Sequence, residues 1–223
     1  MKQTVFISRN PADCAAIAEL LKQHTINVSA HSLIETIGIP FDNNLPITDW
    51  IFFSSSNAAR FFFEKNPNLL GQKIGAIGEA TADAIRPFHS VDFVGDSSDI
   101  TDSAYRFADA IGSSTVLFPG AANSLKHIQS ALPAEQVIDF PVYKTIEHRE
   151  PVAVCDAYVF SSPSNVRAFF KGNPHALPAD MKCIAFGEAT RDELKQYAVQ
   201  HIHIPPSLEA HSIADTIIHV LRG

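Results

Sequence analysis

The chain contains a partial copy of itself. Phe53-Ser54-Ser55-Ser56-Asn57-Ala58-Ala59-Arg60-Phe61-Phe62-Phe63 lies over Phe160-Ser161-Ser162-Pro163-Ser164-Asn165-Val166-Arg167-Ala168-Phe169-Phe170, with serines, arginine and paired phenylalanines in step. A second match follows at nearly the same distance, Gly78-Glu79-Ala80-Thr81 against Gly187-Glu188-Ala189-Thr190. An apolar strand precedes each copy and a helical pattern follows it. A repeat of this kind predicts two similar α/β halves.

The local pattern agrees. Thr4 to Ser8 reads as a strand, Arg9-Asn10-Pro11 as a turn, and the next residues as a helix with Ile17, Leu20 and Leu21 on one face. The same order recurs at 50–63, 73–85, 115–132, 156–170 and 182–197. Strands alternating with helices predict parallel sheets covered on both faces. Lone short strands are expected at 91–94, 137–140 and 201–204. Ser32 to Asp42 and Pro141 to Pro151 are extended, proline-bounded stretches without helical period, which suits two crossings between the halves. The fold class is therefore α/β, with two similar parallel-sheet domains joined by two extended linker strands. The expected division is 1–36 with 146–223 as a discontinuous domain and 37–145 as an insertion; a single cut near residue 115 is the alternative.

Composition narrows the function. The formal net charge of -7, with lysines and arginines scattered singly, argues against nucleic acid or an anionic membrane as partner. No run of eighteen apolar residues occurs, and Met1 to Arg9 lacks the order of a signal peptide, so a cytoplasmic protein is expected. Cys14, Cys155 and Cys183 are widely spaced in apolar stretches and read as reduced core residues.

The serine turns, with Ser54, Ser55, Asn57, Ser161, Ser162 and Ser164, stand where strands end and helices begin. Such residues cap helices by accepting the unpaired amides of the first turn. They also mark where open α/β sheets bind ligands, because helix tips present free N–H groups and about half a positive charge. Several tips together could hold several carboxylates. The Gly-Glu-Ala-Thr segments match neither the dinucleotide nor the Walker pattern, so no nucleotide cofactor is expected. Glu79 and Glu188 read as first-turn residues whose charge would repel an anion; Thr81 and Thr190 offer hydroxyls beside a helix tip. His201 and His203 form the one close histidine pair, without a carboxylate or cysteine at ligand spacing, and no metal is expected. The serines also lack a Gly-x-Ser-x-Gly elbow. Tyr143 lies at the return crossing, either covering the linker or donating a hydrogen bond to a departing hydroxyl.

Taken in order, these segments resemble the uroporphyrinogen-III synthase (HemD) family over essentially the whole chain. Val5-Phe6-Ile7-Ser8-Arg9 resembles its first strand ending in arginine, 51–57 its Ser turn, Ile77-Gly78-Glu79-Ala80-Thr81 its Gly-x-x-Thr element, and Pro141-Val142-Tyr143-Lys144-Thr145 its Tyr-x-Thr segment. The second serine turn, Gly187 to Thr190, and Pro206-Ser207-Leu208-Glu209-Ala210 follow in family order. One departure stands out: Phe118-Pro119-Gly120-Ala121-Ala122-Asn123 occupies the place of an arginine-bearing loop, with only Lys126 and His127 nearby.

The resemblance implies HemD-type domains with the active site in the cleft between them. It implies hydroxymethylbilane as substrate and uroporphyrinogen III as product, formed by loss of water and inversion of ring D through a spirocyclic intermediate, without cofactor or metal. On that reading Tyr143 is the general acid, aided by Thr81 and Thr190, while Arg9 and the serine turns grip carboxylates and the protein acts as a monomer. Two other classes remain open on the residues alone. One is a non-catalytic two-lobed protein that binds a small anion; the other is a nucleotide-sugar transferase, although its expected acidic metal-binding pair is not evident.

Overall fold

The computed structural model describes residues 2–124, 126–176 and 178–222. The chain divides into two compact units, Met1–Glu35 with Ile146–Gly223 and Thr36–Thr145.

In the first unit, β1 (Thr4–Ile7), β2 (Asn27–Ala30), β9 (Ala157–Phe160), β10 (Lys182–Ala185) and β11 (His201–His203) form one sheet in the order β11-β10-β9-β1-β2. Every neighbouring pair is parallel. Helices α1 (Ala15–Lys22), α5 (Pro163–Gly172), α6 (Glu188–Gln196) and α7 (Ala210–Arg222) cover it. Alternation along the strands fills two cores. Val5, Ile7, Ala157 and Val159 pack on α1 and α7, whereas Phe6, Tyr158, Phe160 and Cys183 pack on α5 and α6. All four residues of β9 are buried, as a strand covered on both faces requires.

The second sheet, which lies in the second unit apart from the first two residues of β3 and the last two of β8, holds β3 (Ile34–Gly38), β4 (Trp50–Phe53), β5 (Lys73–Ala76), β6 (Phe93–Val94), β7 (Val116–Ala121) and β8 (Val137–Glu147), in the order β3-β8-β7-β4-β5-β6. The pairs within β8-β7-β4-β5-β6 are parallel. Its helices are α2 (Ser56–Phe63), α3 (Glu79–Ile85) and α4 (Ile100–Ile111). Ile51 and Phe53 face one core, and Trp50 and Phe52 the other.

The repeat survives as geometry. Phe53 meets Phe62 at 5.3 Å between ring centroids and 68°, and the equivalent Phe160 meets Phe169 at 5.3 Å and 71°. Strand order is also shared, with β8-β7-β4-β5-β6 answering β2-β1-β9-β10-β11. The second unit runs from β4 to β8 without interruption, while the first is the same arrangement opened between α7 and β1. There Gln3 Nε2 donates to Leu221 O at 3.2 Å, tying the two ends together.

Three details differ from the sequence expectation. Among the described residues no α-helix lies between β7 and β8; the span 115–132 holds β7 and then a single 3-10 turn at Gln129–Ala131, with another beyond it at Ala134–Gln136. Lys126 has a positive φ of 57°, and Pro133 ends what helical pattern exists. The helices α4 and α7 and the strand β2 form where no element was expected. Cys14 and Cys183 are buried, but Cys155 is only half-buried. Burial pushes the Cys183 thiol up to about 12.

Candidate active site

The serine turns are N-caps in both units. Ser55, in extended backbone, accepts from Ala58 N at 3.1 Å, and Ser162 accepts from Asn165 N at 3.3 Å. Each lies just past the carboxyl end of a central strand, β4 or β9, so the capped helix points its free amides off that end of the sheet.

In the second unit, the tips of neighbouring elements are joined by side chains. Ser56 Oγ donates to Ala80 O at 3.0 Å, which links the start of α2 to the start of α3. A bulge at Gly120/Ala121 sets Ala121 opposite Tyr143, and Ala122 N donates to Tyr143 O at 2.9 Å. Tyr143 is thereby held beside the end of β7, its ring stacked on Phe61 at 5.3 Å and 19°. Its hydroxyl lies 3.4 Å from Ser55 Oγ. The phenol is half-buried, so it is both positioned and accessible. Ser54 and Asn57 are exposed, and among the described residues neither side chain has a hydrogen-bond partner. Gly78 caps α3; a Cβ there would stand 3.0 Å from the Cβ and Oγ of Ser97, so the close approach of that loop selects glycine.

In the first unit, the serines are more committed. Ser161 N donates to the buried Ser8 Oγ at 2.9 Å, and Ser161 Oγ donates to Ser8 O at 2.8 Å. Ser164 Oγ accepts from Arg167 Nη2 at 3.0 Å. Arg167 also bonds Glu147 at 3.1 Å and Glu193 at 2.9 Å. Burial pushes the Glu147 carboxyl up, but the hydrogen bonds from Lys171 and Arg167 outweigh it and hold the group below its usual range. Arg9 is different. Half-buried at the end of β1, its guanidinium lies 5.6 Å from the Phe186 ring centroid and has no carboxylate partner among the described residues.

Thr81 and Thr190 are third in α3 and α6, and both are buried. Neither hydroxyl is hydrogen-bonded among the described residues, and each sits inside the first helical turn rather than on its rim. Tyr143, Ser54, Ser55, Asn57 and Thr81 thus gather at one end of the second unit's sheet, and Arg9, Ser161, Ser162, Ser164 and Thr190 at the corresponding end of the first. Sequence reasoning missed Ser8 and Asn165. Asn165 is buried; its Oδ1 accepts from Leu33 N at 2.9 Å while its Nδ2 donates to Ser162 Oγ at 3.1 Å. The asparagine stands where the first copy has Ala58, so the repeat itself carried that signal.

No group of three or more metal-ligating side chains occurs among the described residues. Nor is any described helix long and apolar enough to cross a membrane.

The family model of uroporphyrinogen-III synthase HemD matches residues 15–215. The chain belongs to the uroporphyrinogen-III synthase family. Solved structures of synthases share the fold along its whole length. A mutant uroporphyrinogen III synthase from the extremely thermophilic bacterium Thermus thermophilus has 17% identity, covers 99% of each chain and has a TM-score of 0.68. The uroporphyrinogen-III synthetase of Helicobacter pylori has 14% identity, covers 99% of this chain and 100% of its own, and also has a TM-score of 0.68. No curated protein matches the sequence. Uroporphyrinogen-III synthase membership makes the chain an enzyme, a cyclising lyase of porphyrin and haem biosynthesis, and favours that reading over a non-catalytic anion-binding protein.

Proposed function

We propose that the chain takes hydroxymethylbilane as substrate and that Tyr143 assists the departure of its hydroxyl. The observation that carries this reading is the Tyr143 hydroxyl 3.4 Å from Ser55 Oγ, beside the tip of α2, with its ring held on Phe61. Loss of the hydroxyl breaks a C–O bond, and the oxygen leaves with the electron pair. A proton from the phenol turns it into water. The resulting cation is attacked by a pyrrole carbon to give the spirocycle, which reopens and closes with ring D inverted. The proton released from the attacking carbon at closure returns to the phenolate, so the enzyme ends unchanged.

The substrate cyclises without help to the uninverted isomer. The task is therefore selection by positioning rather than strong acid or base chemistry. Arg9, Ser54, Ser55 and Asn57, with the helix amides behind Ser161, Ser162 and Ser164, supply the grip on side-chain carboxylates. Thr81 and Thr190 aid by offering their hydroxyls in the first turns of α3 and α6. The enzyme works as a cytoplasmic monomer and needs no cofactor.

Tyr143→Phe keeps the ring on Phe61 and removes the donor. It should lower kcat about 100-fold, the lower end of general-acid assistance, with substrate affinity nearly unchanged. Ser162→Ala should mainly weaken affinity. A Tyr143→Phe variant with near wild-type kcat would remove the acid role.

A further inference from the structure

Beside Ser54 the second unit holds a cavity of about 180 Å³. Ile77, Ile100 and Ile128 form its apolar wall, and its polar lining is Ser54, Ser124, Lys126, His127 and Gln129. Each of those five side chains can donate a hydrogen bond, and no carboxylate is among the lining residues. In a chain of formal net charge -7 this is a locally inverted composition. A concave, part-apolar space edged by donors suits an anionic group carried on a short apolar stem. Liquid water occupies about 30 Å³ per molecule, so the cavity holds roughly the volume of six waters, enough for one alkyl carboxylate and far too small for a tetrapyrrole.

The ammonium in this lining is held by an exchangeable partner. Lys126 Nζ bonds Asp139 Oδ2 at 2.6 Å, and Gln129 Nε2 lies 3.4 Å from Asp139 Oδ1. Side-chain exposures of 55% for Lys126 and 39% for Asp139 place this ion pair in solvent, where such pairs contribute little. A ligand carboxylate can therefore replace Asp139 as the partner of Lys126 at small cost. His127 is exposed at the mouth and can donate from its ring in either protonation state.

We infer that the cavity lined by Ser54, Ser124 and residues 126–129 is a subsite for one carboxylate-bearing side chain of the substrate, with Lys126 and His127 as its donors and Asp139 as an internal competitor. This deepens the proposed function and rests on it only for the identity of the ligand.

Two measurements separate the claims. Steady-state kinetics with hydroxymethylbilane should show Lys126→Gln raising KM about 10-fold at nearly constant kcat, as expected for loss of one charge-assisted hydrogen bond. Asp139→Asn should lower KM, because it frees Lys126; a merely structural ion pair would not give that opposite sign. Independently of turnover, propionate titrated into the full-length protein should shift the NMR signals of the His127 ring and the Ser54 amide in wild type, and shift them less in Lys126→Gln. If KM is unchanged in both variants and propionate leaves these signals in place, the subsite is refuted. If propionate binds there while the chain yields no type III product, the substrate assignment fails and the anion subsite stands.

Discussion

Ser55 and Ser162 both cap helices, yet only Ser55 also meets a phenol. That contact was not legible, since it depends on the bulge that brings Tyr143 level with the end of β7. The role of glycine was only half legible. Gly78 has extended backbone and is selected by the nearby Ser97, whereas Gly187, its counterpart in the repeat, has φ 156° and ψ 174°, a region open essentially to glycine. Gly187→Ala should therefore destabilise the protein by about 1–3 kcal/mol in urea unfolding, although no atom lies within 4 Å of the added methyl group. An unchanged midpoint would mean that the backbone relaxes without strain.

At the scale of elements, strand–turn–helix units were readable because their apolar periods are strong. Trp50 to Phe53 and Ala157 to Phe160 are buried at every position and could only be central strands. The segment after β7 misled because its apolar residues mimic a helix, while the positive φ at Lys126 and the proline at 133 prevent one. The ion-pair cluster on Glu147 was invisible in sequence: Arg167 and Lys171 of α5 lie 20 and 24 residues away, and Glu193 of α6 joins through Arg167, so only folding places these groups on one surface. Its pH dependence follows from the sign of the shift. A carboxyl held below its usual range stabilises the fold fully above the unfolded value of about 4.3, and that contribution is lost as pH falls through the lower folded value. With the pair partly in solvent, Glu147→Gln should cost about 1 kcal/mol at pH 7 and less at pH 3 in thermal or urea unfolding. An equal cost at both values would assign the effect to packing instead.

For the whole molecule, the internal repeat was the most informative feature, since it implied two units of one topology before any motif was considered. The circular relation between them was hidden: β1 and β2 in the first unit answer β7 and β8 in the second, and those segments share no readable sequence. The family match then supplies the chemistry that topology alone does not. The central claim is control of the ring D outcome, which isomer analysis of the product measures directly. Hydroxymethylbilane should be incubated with the purified chain, and the oxidised porphyrins separated by chromatography. Type III isomer is expected in large excess over the type I product that forms spontaneously, and without added cofactor. Type I alone, at the uncatalysed rate, would contradict it.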